Sequence, residues 1–304
     1  MLLGQTVSAV DGAPAPSLTV HVANRPAATT DGDGLFAVDV RSLGSHDVII
    51  RGSGVIERQT TVFGPTGDRS RLSLIPAGFD LGAFDEMFRA SRGRLQRWTA
   101  RPSLVVLASV MRYRSGNVTE YEAGDEGLSE EDVAQMVAHL TEGLALLTGQ
   151  TYTSFASVSV ERPAPGTRVT VARDRTIVAG RYGGIASLAN TVGYGQWSEL
   201  PNGTVTAGAI FLDRDFDRTD ARRRLLRIHE LGHALGYQHV TSRTSIMNPS
   251  LSVPPTEFDR TAAAIAFQRP PGNRAPDVDP RTGTTAAVPE EGARWMPPIF
   301  CGVG

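Results

Sequence analysis

Residues 229–239 read HELGHALGYQH, and Met247 follows eight residues after the last histidine within SIMNPS (245–250). Three of the chain's six histidines stand in that first stretch. The segment DARRRLLRIHELGHALGY (220–237) is free of proline, and Leu225, Ile228, Gly232 and Leu235 recur at three and four, so the spacing predicts a helix capped by Thr219 or Asp220. His229 and His233 then share one face a turn apart, with Cβ atoms about 6 Å from each other. That separation lets two imidazole nitrogens reach one zinc ion at about 2.0–2.1 Å. Glu230 is adjacent to the first histidine, so its carboxylate reaches a water on such an ion and fits a general base. Gly236 can adopt a left-handed conformation and end the helix, which turns His239 back as third ligand. Three protein ligands leave a fourth position open, which is the catalytic arrangement.

The alternative is an ordinary core helix with incidental histidines. At this histidine usage, HExxH alone arises by accident in roughly one such sequence in a hundred, and the glycine and third histidine take that to the order of one in 10⁵. Burying unpaired imidazoles also costs free energy. With Cys301 as the single cysteine, no intrachain disulfide and no cysteine-based zinc site are expected, so a metal is expected on His, Asp or Glu.

His229-Glu230-x-x-His233-x-x-Gly236-x-x-His239 followed by Met247 resembles a metzincin metallopeptidase, and the spacing to Met247 is most similar to the matrixin branch. The resemblance covers about residues 100–270. It implies a zinc endopeptidase in which His229, His233 and His239 hold Zn²⁺, Glu230 is the general base and Met247 supports the site from below. It also implies that Pro249, Ser250 and Leu251 line the S1′ pocket and that PTEFDRTAAAIAFQ forms a final helix. In LDRDFDRTD (212–220), Asp213, Asp215 and Asp217 fall where calcium binds in matrixins; a solvated loop with an N-cap is the plainer reading of the same residues. A protein or peptide substrate is expected to bind extended along an edge strand, for which GRYGGIASLANTV (180–192) is the candidate. The residue two after Met247 is Pro249, so the tyrosine ligand of astacin- and serralysin-type members is missing. No cysteine-switch segment precedes the catalytic region. PPIFCGVG does carry Cys301-Gly-Val, similar to the core of that switch but at the other end of the chain, where it also reads as a lone tail cysteine.

Composition bounds the rest. The chain has 304 residues, 40% hydrophobic and 20% charged, which suits a soluble protein of two domains. Net charge is −2 without a basic run, so nucleic acid and anionic membranes are not expected partners. Every one of the 30 cationic residues is arginine, which reads as a GC-rich bacterial coding bias. No apolar stretch approaches the roughly 20 residues that span a bilayer, and MLLGQTVSAV lacks the basic n-region and long apolar h-region of a signal peptide, so either the chain is cytoplasmic or an export signal was removed or lies upstream. The family resemblance points to an extracellular or periplasmic location.

The expected fold is a small antiparallel β-sandwich followed by an α+β zincin domain with a mixed sheet. Over residues 1–76, short alternating runs broken by turns predict the sandwich, and G-Q-T-V, T-T-D-G-D-G-L-F and S-H-D-V-I-I-R resemble the transthyretin-like, carboxypeptidase regulatory-like domains. Asp31, Asp33 and Gly34 imitate the start of an EF-hand loop, but the twelfth position is Ser42, so a tight turn is the better reading. Residues 77–102 read as a helical connector and 103–113 as a buried strand. A helix follows over 128–149, with Ser129 as N-cap and Asp132 at the capping-box position. His21, His46 and His139 read as packed or surface residues. Residues 271–304 are proline-rich and expected to be extended or disordered. Two rivals stand beside the peptidase: an adhesion protein with a vestigial peptidase domain, and a zinc hydrolase of non-peptide amides or esters.

Overall fold

The computed structural model describes residues 1–113, 119–183, 188, 190–250, 253–281 and 292–302. The N-terminal region is built from β1 (Leu2–Ser8), β2 (Thr19–Val22), β3 (Ala28–Thr29), β4 (Leu35–Val38), β5 (Gly44–Arg51), β6 (Arg58–Gly64) and β7 (Arg69–Leu74). Alternation puts Val20, Val22, Val48 and Ile50 of one sheet against Leu2, Phe36, Val38 and Leu74 of the other, and these side chains form a separate core. The four-stranded sheet, β3-β2-β5-β6, is antiparallel throughout. The three-stranded sheet is not: β1 pairs antiparallel with β4 but parallel with β7. The expected antiparallel region is found with this one exception, which arises because β7 follows β6 of the opposite sheet and reaches β1 by a crossover instead of a hairpin. At TTDGDG, the Asp31 carboxylate accepts from the backbone N–H groups of Asp33 (3.0 Å) and Leu35 (2.8 Å), so this segment is a tight turn.

The remaining elements are α1 (Leu81–Phe88), β8 (Arg97–Trp98), β9 (Ser103–Leu107), β10 (Ser109–Tyr113), β11 (Glu120–Gly127), α2 (Glu130–Leu147), β12 (Val158–Glu161), β13 (Arg168–Thr170), β14 (Thr176–Tyr182), β15 (Thr191–Glu199), β16 (Thr204–Asp213), α3 (Arg214–Thr219), α4 (Arg223–Ala234), α5 (Glu257–Phe267), β17 (Arg294–Trp295) and β18 (Ile299–Gly302). They form a mixed sheet with the main path β13-β11-β10-β14-β16-β15-β17. The strand expected over 103–113 is two strands, broken at Ala108, whose N–H donates to Glu161 and whose carbonyl accepts from Leu128. Helix α2 begins as the sequence predicts, with the Ser129 hydroxyl accepting from the Asp132 N–H.

Helices α2 and α4 bury their apolar faces together: Met136, Leu140 and Leu144 share a core with Leu226, Ile228 and Leu231. Helix α4 also lies flat on β15 and β16. It does so because β15 carries glycine where the helix backbone passes; a β-carbon on Gly195 would stand 2.6 Å from the Glu230 carbonyl oxygen. The helix starts at Arg223, later than expected, because Asp220 ends α3 and its carboxylate accepts from the Arg222 N–H.

Two corrections concern the cleft. Strand β14, which holds the start of the 180–192 segment, is internal, paired on its two sides with β9 and β10 and with β16. Residues 184–187 and 189 lie outside the described residues, and the strand after them, β15 from Thr191 to Glu199, runs antiparallel to β16 on one side and to β17 and β18 on the other. The tail is also more ordered than its prolines suggest. Asn273 and Asp277 are fully buried, and Asp277 accepts from Arg269 at 2.7 Å. Asp279 pairs with Arg58 of the N-terminal region at 2.8 Å, and residues 294–302 supply two further strands. These buried charge pairs, with backbone pairing to β15, offset what proline removes. Residues 282–291 lie outside the described residues. Among those described, no helix is long and apolar enough to cross a membrane.

Candidate metal centre

Helix α4 places His229 and His233 on one buried face, both fully inaccessible. It ends in a Schellman turn: the Gly236 N–H donates to His233, the Tyr237 N–H donates to Gly232, and Gly236 has φ of 100°. Only glycine takes that φ without strain. The turn brings His239 back, so that its Nε2 stands 3.2 Å from that of His233, which itself stands 3.1 Å from that of His229.

The protonation of two of these rings follows from their partners. His229 Nδ1 donates to the Ile246 carbonyl at 2.6 Å, and His233 Nδ1 donates to the Tyr237 carbonyl at 2.7 Å. A carbonyl can only accept, so the proton is on Nδ1. Burial lowers the pKa of His229 to about 3 and pushes those of His233 and His239 below the usual imidazole value, which keeps the rings neutral. The Nε2 atoms of His229 and His233 therefore present bare lone pairs to each other at van der Waals range, an unfavourable contact unless a cation lies between them. Tetrahedral coordination at about 2.05 Å separates neighbouring nitrogens by about 3.3 Å, close to the observed spacing. The donor set fits zinc.

Glu230 is fully buried beside this cluster, and among the described residues neither of its oxygens finds a nitrogen or oxygen partner; the polar group facing it is the Cys301 thiol. Burial pushes its carboxyl well above the usual carboxylate range. Its space is made by β15: a β-carbon on Gly193 would stand 2.7 Å from Glu230 Oε1.

Met247 lies under the helix, fully buried, in a turn held by α5. The Asp259 carboxylate accepts from the Ser245 hydroxyl (2.5 Å) and the Ile246 N–H (3.1 Å), while closing the capping box with Thr256. Pro249 and Ser250 follow the turn and are exposed, and Leu251 lies outside the described residues.

The acidic trio does not converge on a cation. Asp213 caps α3 by accepting from the N–H groups of Asp215 and Phe216. Asp215 pairs with Arg214 at 2.9 Å, and Asp217 is fully buried between Arg181 and Arg227, each at 2.7 Å. The calcium expectation is corrected on that ground: arginines and helix N–H groups already take the oxygens.

The expectation that a metal must rest on His, Asp or Glu alone is corrected by Cys301, the switch-like cysteine of the tail, which β18 brings to the cluster although it is far away in sequence. Its Sγ is 3.0 Å from His229 Nε2, 3.6 Å from His239 Nε2 and 3.8 Å from His233 Nε2. Among the described residues, the group able to hold a metal is His229, His233, His239 and Cys301, with ligand atoms all within 4.8 Å of one another. Asp259, Gly193 and Gly195 are likewise outside the motif. Of these, only the alternating glycines of TVGYGQW leave a trace in the sequence, as one strand face without side chains.

No curated protein matches the chain. The family model described as Matrixin matches residues 190–264, the stretch from β15 into α5 that carries the three histidines, Glu230 and Met247. With the histidine cluster, that match supports a metzincin-like metallopeptidase domain in this part of the chain.

Proposed function

We propose that the protein is a zinc-dependent endopeptidase. The observation that carries this is the pair of neutral imidazoles of His229 and His233, oriented by backbone carbonyls and presenting bare nitrogens to one point beside a buried carboxylate. When bound, zinc supplies Lewis acidity: it lowers the pKa of a water toward about 7 and polarises a carbonyl oxygen. His229, His233 and His239 hold it. Glu230, which finds no nitrogen or oxygen partner among the described residues, would accept the proton of the attacking water and return it to the leaving amine. The outer edge of β15, freed of the tail strands β17 and β18 that pair with it here, would offer backbone groups for an extended peptide, which gives affinity without dictating side chains. Pro249 and Ser250 are read as part of the wall beyond the scissile bond, and the N-terminal strands as an accessory domain of an exported enzyme.

Casein turnover is the test, measured on zinc-loaded protein carrying Cys301→Ala so that no thiol competes for the fourth position. Turnover lost in the double variant with Glu230→Gln, with one zinc per chain retained in both, is the expected result. Equal turnover with and without Glu230 removes the assignment. Binding of peptides without cleavage would favour the adhesion reading, and cleavage of small esters alone would favour a non-peptide hydrolase.

A further inference from the structure

Tail residues 294–302 run along the outer edge of β15. Strand β17 pairs with Ser198 and Glu199, the Met296 N–H donates to the Trp197 carbonyl at 2.8 Å, and β18 pairs with Thr191, Gly193, Tyr194 and Gly195. Both strands are antiparallel to β15. The backbone edge that an incoming extended chain would use is therefore occupied by this chain's own C-terminus. Cys301 sits opposite Gly193, whose missing side chain leaves room at the cluster, and the thiol is 1% exposed.

The sulfur is placed as a ligand. Tetrahedral zinc with nitrogen at about 2.05 Å and sulfur at about 2.3 Å separates the two by about 3.6 Å; the three observed distances, 3.0, 3.6 and 3.8 Å, bracket that value. A fourth protein ligand converts an open site into a closed one. Such a dication takes the sulfur as thiolate, so ligation releases the thiol proton. The ligand is also tethered. It belongs to the same chain and is carried on strands already paired with β15, so its effective concentration at the cluster is on the order of millimolar or more.

We propose that the C-terminal strand is the chain's internal inhibitor: β18 covers the β15 edge while Cys301 fills the fourth position of the three-histidine centre. This rests on the metal-binding reading of the histidines. It goes beyond it by assigning the tail a function and the enzyme a latent state, which ends when the tail strand leaves the edge.

The test uses the full chain loaded with cobalt(II), whose absorption reports each ligand. The wild type is expected to show a sulfur-to-cobalt charge-transfer band that Cys301→Ala lacks, with one cobalt per chain in both. A small hydroxamate, titrated against the cobalt spectrum, is expected to bind Cys301→Ala at least tenfold more tightly than wild type. Ile299→Asp keeps the thiol but puts a charge where Ile299 packs on the core. It is expected to tighten hydroxamate binding severalfold and to speed reaction of Cys301 with Ellman's reagent. A wild type without the band, equal hydroxamate affinity in all three proteins, or loss of cobalt from Cys301→Ala each overturns the proposal, the last by making Cys301 a structural ligand. None of these readings depends on peptide cleavage, so failure of the peptidase assignment would show separately, as a Cys301→Ala protein that binds hydroxamate and cleaves nothing.

Discussion

The carboxylate of Asp259 in α5 accepts the N–H of Ile246 at 3.1 Å, and the carbonyl of the same Ile246 accepts the Nδ1 proton of His229 at 2.6 Å. A side chain thirty residues from His229 thus fixes the peptide that sets the ring's tautomer and aim. Such outer partners tune a metal ligand nearly as strongly as its own identity.

Asp259 accepts from four groups, the Thr256 N–H and hydroxyl, the Ser245 hydroxyl and the Ile246 N–H. Asp259→Asn replaces one acceptor oxygen with an NH₂ that faces donors. We expect a loss of stability of about 2–4 kcal/mol in urea unfolding and a zinc affinity 10- to 100-fold weaker. Full stability loss with unchanged zinc affinity would mean that Asp259 is structural only and does not position His229.

Gly232 faces the Met247 thioether so closely that a β-carbon would stand 2.4 Å from the sulfur. Gly232→Ala is therefore expected to destabilise by about 1–3 kcal/mol through overpacking, despite alanine's better helix propensity. Met247→Ala alone opens a buried cavity and costs about 2–5 kcal/mol. In the double variant, the methyl group occupies part of that cavity, so the two effects sum to less than their total by about 1 kcal/mol or more. Strict additivity in the cycle would show that the contact does not couple them.

These relationships mark where the sequence is readable and where it is not. His229, His233 and Gly236 are legible because helical spacing and a left-handed turn are local rules, and the Schellman geometry obeys both. His239 follows from the same turn. The start of α4 is not legible, since Asp220 prefers the end of α3 to a cap, a choice made by neighbouring elements. Tail order escapes composition altogether: prolines argue against regular structure, yet β18 is held by pairing to β15, Asp277 by nearby Arg269, and Asp279 by Arg58 of a distant segment. Cys301 resembles a switch motif in its three residues, but its position at the cluster is a property of sheet topology.

Asp217 illustrates how an acidic cluster misleads. It is fully buried, bridging Arg227 by two bonds and Arg181 by one. Asp217→Asn leaves two buried guanidinium groups short of a counter-charge, and a loss of about 3–5 kcal/mol is expected. Added calcium should not shift the melting temperature of the wild type. A calcium-dependent rise that disappears in Asp217→Asn would restore a cation site here.

Asp132 gives a pH-dependent counterpart on the same arginine. Its carboxylate accepts from Arg181 at 2.9 Å and from the Ser129 hydroxyl at 2.9 Å at the start of α2. The Arg181 hydrogen bond, opposed by partial burial and helped by Ser129, holds its pKa below the model-peptide value of 3.8. A depressed carboxylate stabilises the fold fully above its unfolded pKa, and that stability is lost as pH falls through the folded value. Asp132→Asn should therefore cost about 1.5 kcal/mol at pH 7. The difference between wild type and variant should stay constant down to about pH 5 and shrink below about pH 4. Urea unfolding of both proteins between pH 3 and 7 measures it. A difference that grows on acidification would reverse the sign of the linkage and exclude Arg181 as the partner that matters.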